Sequence, residues 1–253
     1  MKFLPYILLT VSAISLTFAM EVSPLLEGGG GQTGATPGDF EMYVFAQTWT
    51  ESFCSGNKCS SQECKSLPGT YAASNLAIHG LWPNFNDEST HSGYQYPQFC
   101  GSYSTCGELN PPASCNPDMS NLNQSDFTKY APGYVMDNNF LANHEWPKHG
   151  GCTRLSQQQF FQSLITLEKQ LEATSSAVWT GSSVEVKLTD VEAAYGGSDH
   201  VSLTCSKGNL QQVITCWSKD AQDMPVSRIP CPATVAPSNC PSLITLATST
   251  CNS

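Results

Sequence analysis

The chain has 253 residues, enough for one domain of ordinary size, and no internal repeat divides it. Eleven Lys and Arg against 21 Asp and Glu give a formal net charge of −10 at pH 7. That balance excludes the basic stripe of a tight nucleic-acid binder, although it does not oppose turnover of a weakly held polyanion.

In chain order, the first predicted segment is a signal peptide over 1–19. Lys2 supplies a positive start, Phe3 to Phe18 is mostly apolar, and Thr17-Phe18-Ala19 has the small-x-small pattern of a cleavage site. The span is shorter than the roughly 20 apolar residues of a membrane helix, and no other stretch could cross a bilayer. The expected mature chain is therefore soluble, leaves the cytosol, and without Lys2 carries about −11. Residues 20–38 follow as an expected linker, because Gly28 to Gly31 with Pro24 and Pro37 cannot bury enough surface to order themselves. Residues 39–253 form the expected folded domain.

Glu41 to Trp49 has strand composition, and Ile78 ends a second strand that Gly80 and Pro83 break into a loop. Asn84 to Asn121 is rich in Asn, Ser, Pro and Gly and reads as mostly loop. Asn123-Gln124-Ser125 is an N-glycosylation sequon. Ser156 and Gln159 make a capping box, and Phe160, Phe161, Leu164, Leu167 and Leu171 recur at helical spacing, so a helix is expected over Ser156 to Ala173. Val184 to Leu188, Val201 to Thr204 and Val213 to Trp217 read as strands. Strands and helices do not alternate regularly, which predicts α+β. Twelve cysteines in an exported chain imply disulfides. Spacing alone leaves their pairing open.

One stretch concentrates the titratable groups: His144, Glu145, Trp146, Pro147, Lys148, His149 and Cys152. Glu145 and His149 lie four apart, as do His144 and Lys148, so each pair can share a helical face. Pro147 suits a first turn, which predicts a loop running into a short helix. A zinc helix needs two histidines four apart, but His144 and His149 are five apart and Lys148 holds the second ligand's place. No metal and no other cofactor is expected. The bland alternative, a solvated turn with incidental histidines, fails to explain the second His-Trp motif at His79 to Trp82. His91 and His200 stand outside both motifs and read as surface residues, and Trp146 reads as packing.

Ile78-His79-Gly80-Leu81-Trp82-Pro83 and His144 to Cys152 together resemble the signature motifs of the ribonuclease T2 family, over roughly Phe40 to Cys240. Asn143, where many members carry an acid, and Thr50, where proline is usual, depart from the pattern. The resemblance implies a disulfide-stabilised single domain with a central antiparallel sheet flanked by helices. It implies the pairings Cys100–Cys152, Cys205–Cys240 and Cys216–Cys231. It also implies an acid endoribonuclease acting on single-stranded RNA, not DNA, as a monomer that is secreted or held in a lysosome or vacuole.

The chemistry explains the residue types. The 2′-hydroxyl of RNA can attack the adjacent phosphate if one group takes its proton and another protonates the leaving 5′-oxygen, and imidazole suits both roles. His79 and His149 are the candidates. The resemblance makes His149 the base and His79 the acid, through a 2′,3′-cyclic phosphate. Lys148 would offset charge on the phosphoryl oxygens, with Glu145 holding Lys148 or His149 and raising the imidazolium's pKa. His144 resembles a phosphate-binding histidine, and Trp82 a ring on which a base stacks. Near the sequence pI of 4.8 overall repulsion vanishes, and largely protonated histidines would offer local positive charge. An acidic optimum and little base specificity are therefore expected. The alternatives are a catalytically inactive binding or storage protein of the same fold, and a secreted module whose histidines sense pH.

Overall fold

In strand β2 (Met42–Thr48) every residue but the last is buried, so both faces of the strand are covered. Tyr43 and Phe45 point into the main core, while Met42, Val44 and Ala46 belong to a smaller cluster on the opposite face. The computed structural model describes residues 30–107, 112–120, 122–179, 185–249 and 251. The expected signal peptide and the first part of the expected linker lie outside the described residues.

Strand β2 pairs antiparallel with β3 (Ala77–Asn84) on one side and with β7 (Asn209–Lys219) on the other. The far edge of β7 is shared by β6 (Ser202–Ser206) and β8 (Pro225–Ile229), both antiparallel to it. One parallel bridge, Asn209 to Thr245, adds β9 (Leu243–Thr245), which pairs with β5 (Glu185–Lys187). Short β1 (Gly31–Thr33) lies parallel to β4 (Tyr96–Gln98) in a separate two-stranded sheet. Helices α1 (Thr50–Phe53), α2 (Gln62–Ser66), α3 (Gln124–Tyr130), α4 (Pro132–Val135), α5 (Phe140–Lys148), α6 (Gln157–Trp179) and α7 (Leu188–Ala194) fill the connections. The fold is α+β.

Helix α6 covers the main face with Phe160, Phe161, Leu164, Leu167 and Leu171. It continues beyond Ala173, the expected end, through Thr174, Ser175 and Ser176 to Trp179. Ser175 finds a buried partner in the Tyr195 hydroxyl at 3.1 Å, and Trp179 is buried in the main core, so tertiary contacts extend the helix over polar sequence. The opposite face is thinner, covered by Trp82, Ile229, Cys231 and Val235.

Three expectations fail. Strand β3 does not stop at Gly80 but runs through Pro83 to Asn84, because Pro83 sits on an edge strand. The segment around Pro147 is helical from Phe140, and Pro147 stands next to last in α5. A helix that ends within two residues tolerates it, and His149 N–H still reaches Glu145 O at 3.0 Å. Third, residues 30–38 are not a linker. Gly31 lies so close to β4 that a Cβ would meet Gln98 Cδ at 2.5 Å, Ala35 is buried against Cys100 and Cys152, and Gly38 N–H donates to Cys152 O at 2.8 Å. Glycine there serves close backbone approach.

All twelve cysteines pair: Cys54–Cys64, Cys59–Cys251, Cys100–Cys152, Cys106–Cys115, Cys205–Cys240 and Cys216–Cys231.

Candidate active site

A β-bulge decides where His79 points. Ala46 opposes Gly80 and Gln47 opposes Ile78, so His79 has no residue opposite it on β2. An unbroken strand would put Ile78 and Trp82 on one face and His79 with Leu81 on the other. The extra residue lets Ile78 and Leu81 both enter the main core, and it turns His79 to the thin face with Trp82. There His79 Nδ1 lies 2.5 Å from Gln212 Nε2 on β7. A donating amide assigns the neutral ring a proton on Nε2, the nitrogen 3.6 Å from Glu145 Oε1. Behind it, the buried Tyr134 hydroxyl of α4 donates to the carbonyl of His79 at 2.9 Å.

Helix α5 closes on this edge. It gives Trp146 to the main core, where the indole N–H donates to Tyr103 Oη at 2.7 Å and the ring packs on Phe160 and Phe161. Its other side gives Glu145, Lys148 and, at the C-cap, His149, all 2% exposed or less. Trp82 Nε1 donates to Glu145 Oε2 at 2.7 Å, and its ring lies 5.4 Å from His79 and 5.5 Å from His149, centroid to centroid. Trp82 thus touches both imidazoles and is only partly buried. Tyr96 of β4 lies on His149 at 5.9 Å. Gly80 is required by this contact, since a Cβ there would fall 2.3 Å from Glu145 Oε2 and 2.4 Å from Trp82 Nε1.

The two imidazoles are strongly perturbed. Burial pushes the pKa of His79 down to about 3, with further lowering from His144 and Lys148. Burial pushes His149 well below the ordinary histidine range, and Lys148, His144 and His79 add to it. Against the expectation of largely protonated histidines near pH 5, desolvation and neighbouring positive charge favour the neutral form of both rings. Neither ring nitrogen of His149 meets a hydrogen-bond partner among the described residues.

The structure thus brings together every residue expected at the site: His79, Trp82, His144, Glu145, Lys148 and His149. His91 is not idle at the surface. It stacks on Phe85 with centroids 3.6 Å apart and meets Glu41 Oε1 at 2.9 Å, well outside the cluster. His200 pairs with Asp199. Sequence reasoning missed Gln212, Tyr134 and Tyr96. Gln212 lies 133 residues from His79, and its one signal was a polar side chain within an apolar strand.

A family model described as the Ribonuclease T2 family matches residues 40–231. Ribonuclease DdI of Dictyostelium discoideum is 27% identical over 197 residues, 73% of this chain and 77% of that protein. Extracellular ribonuclease LE of Solanum lycopersicum is 28% identical over 140 residues, 54% of each chain. Among solved structures, RNase NT in complex with 5′-AMP aligns with a TM-score of 0.52 at 22% identity, covering 83% of this chain and 99% of that one. This last likeness is one of fold.

Proposed function

Since the chain belongs to the ribonuclease T2 family and is a ribonuclease, we propose that it cleaves single-stranded RNA internally, without a metal, by transesterification to a 2′,3′-cyclic phosphate. The observation that carries the reading is the pair of buried imidazoles joined by Trp82 and flanked by Lys148 and Glu145. His149, whose ring nitrogens bond no other described residue, takes the 2′-hydroxyl proton. His79, oriented by Gln212 and Glu145, delivers a proton to the leaving 5′-oxygen. Lys148 offsets the charge that grows on the phosphoryl oxygens, and His144 helps hold the phosphate. Hydrolysis of the cyclic phosphate reverses the two histidine roles.

The acid must be protonated, and the free protein's field opposes that. A phosphate brought beside His79 supplies negative charge in a water-poor site and raises the imidazole's pKa. The substrate thus charges its own acid. This supports an acidic optimum and weak binding at neutral pH, where the chain carries −10. The exposed part of Trp82 offers a face for a base, a contact worth about 1–3 kcal/mol and tolerant of base identity. Asn123 is exposed at the start of α3, where its side chain caps the helix and remains reachable for a glycan. A secreted or lysosomal or vacuolar monomer fits the disulfides, and no helix among the described residues is long and apolar enough to cross a membrane.

The test is RNA cleavage by purified protein at pH 5 in excess EDTA, with the product ends identified. Ends carrying 2′,3′-cyclic phosphate, absent with His149→Ala and with His79→Ala, are the expected result. Cleavage abolished by EDTA would overturn the metal-free reading, and full activity of either variant would overturn its histidine's role.

A further inference from the structure

Residues 31–38 precede the family-matched region, yet they are bonded to both segments that flank His149. On one side, Gly31, Gln32 and Thr33 run in register with Tyr96, Pro97 and Gln98. Gln98 Nε2 donates to Gly31 O at 3.1 Å and to Thr33 Oγ1 at 3.2 Å, and Gly34 N–H donates to Gln98 O and Phe99 O, each at 3.2 Å. This is the strand whose Tyr96 ring lies on His149. Its end is tied to the site again where Phe99 N–H donates to Lys148 O at 3.0 Å. On the other side, Ala35 packs on the Cys100–Cys152 disulfide, Gly101 N–H donates to Ala35 O at 3.1 Å, and Gly38 N–H holds the carbonyl of Cys152.

We propose that residues 31–38 are a positioning strap for the cleft, holding β4 and the turn after α5 so that Tyr96 sets the ring of His149. The inference rests on the reading of His149 as the base. The physical need is clear from the ring's surroundings. No hydrogen bond to another described residue orients either of its nitrogens, so its orientation depends on the aromatic walls, Trp82 and Tyr96. Trp82 is fixed by Glu145, whereas β4 is a three-residue strand outside the main sheet, with β1 as its ladder partner. Three-residue strands hold poorly alone. Gly31 sets the closeness of the strap, since a Cβ there would fall 2.6 Å from the Tyr96 ring as well as 2.5 Å from Gln98.

Gly31→Val and Gln98→Ala in the full chain test the strap, because neither residue touches the proposed reacting groups. A base displaced by a fraction of an ångström loses rate rather than affinity, so kcat should fall about tenfold in Gly31→Val and about threefold in Gln98→Ala, with KM within about twofold. The His149 ring-proton resonance should move in both variants while that of His79 stays. Should Gly31→Val fail to fold, Gln98→Ala decides alone. Faster amide exchange over 31–35 with kcat and the His149 resonance unchanged would overturn the proposal. A moved resonance with unchanged kcat would overturn the role of His149 as base, and with it the strap's part in catalysis.

Discussion

At Gly80 a single methyl group decides whether the cleft can form. A Cβ would collide with both partners of the Trp82–Glu145 hydrogen bond, so Gly80→Ala should lower kcat about 100-fold, in keeping with misplacement of a catalytic group by about an ångström. Steady-state kinetics on a dinucleotide substrate checks it, and near-normal kcat would show that Trp82 need not sit on Glu145. Gln212 acts on His79 differently. Its amide donates to Nδ1 of the neutral ring, and after a half-turn its oxygen could accept from the imidazolium, so it can support both states of the proposed acid. Gln212→Leu should therefore cost about fivefold in kcat with KM little changed, since only about 1 kcal/mol of a hydrogen bond is lost. A variant that raises KM alone would instead place Gln212 in substrate binding. The perturbed imidazoles make a third prediction. The alkaline limb of kcat/KM, which reports the acid in the free enzyme, should lie at lower pH than that of kcat, which reports the complex. Coincident limbs would show that the substrate does not charge its acid.

At the scale of elements, the site is a joint between the edge of a sheet and the end of a helix, which the sequence places more than 60 residues apart. The bulge in β3 and the C-cap of α5 each turn one histidine to the thin face. The Cys100–Cys152 disulfide ties the turn after His149 to the segment that follows β4, across a sequence separation of 52. On the chain-entropy account, closing a loop of that size is worth roughly 4 kcal/mol. The double variant Cys100→Ala, Cys152→Ala should melt well below the native protein and lose activity with it. Undiminished kcat in the still-folded variant would show that the hydrogen bonds that Phe99 and Gly38 N–H donate to Lys148 O and Cys152 O hold the turn without the bridge.

For the whole molecule, stability against pH follows from two opposed sets of buried groups. Glu168 is fully buried on α6, bonded by Gln47 at 2.8 Å, and burial pushes its pKa up to about 8. Burial, reinforced by Asp137, pushes Glu63 up to about 7. Each binds its proton more tightly when folded, so its contribution is full below the ordinary carboxylate range and is lost as pH rises through 7–8. His79 and His149 do the reverse: the unfolded chain takes protons below about pH 6.5 that the folded one refuses, so their contribution is lost as pH falls. Between about pH 4.5 and 6.5 the two slopes oppose one another, each group changing stability by at most about 1.4 kcal/mol per pH unit. The melting temperature should therefore be nearly level over that window, falling above it as the carboxylates ionise and below it as the histidines dominate. Thermal melts from pH 4 to 8 check this, and Glu168→Gln should flatten the alkaline fall. A melting temperature still climbing towards pH 8 in the native protein would show that the buried carboxylates do not govern it.

Much of the site was legible in the sequence because its chemistry is carried by residue types that have few other reasons to cluster. Two histidines, a carboxylate and an ammonium within six residues are costly to bury, and such a group is kept together by what it does. The long amphipathic run after Ser156 was legible too, because helical periodicity is a local property. What lay beyond reach depends on contacts between distant segments. The glycines at the start of the chain carry the composition of a linker, and only the close pass of β4 makes Gly31 a packing residue. Pro83 and Pro147 are breakers by rule, and they are tolerated because one lies on a sheet edge and the other stands next to last in its helix. The protonation of His79 and His149 was misjudged for the same reason, since burial is not a property of the residue. The sequence by itself determined which groups meet and the reaction class they suit. The tertiary structure alone decided their burial, their partner Gln212 and the strap beside them, because desolvation and long-range hydrogen bonds exist only once the chain has closed on itself.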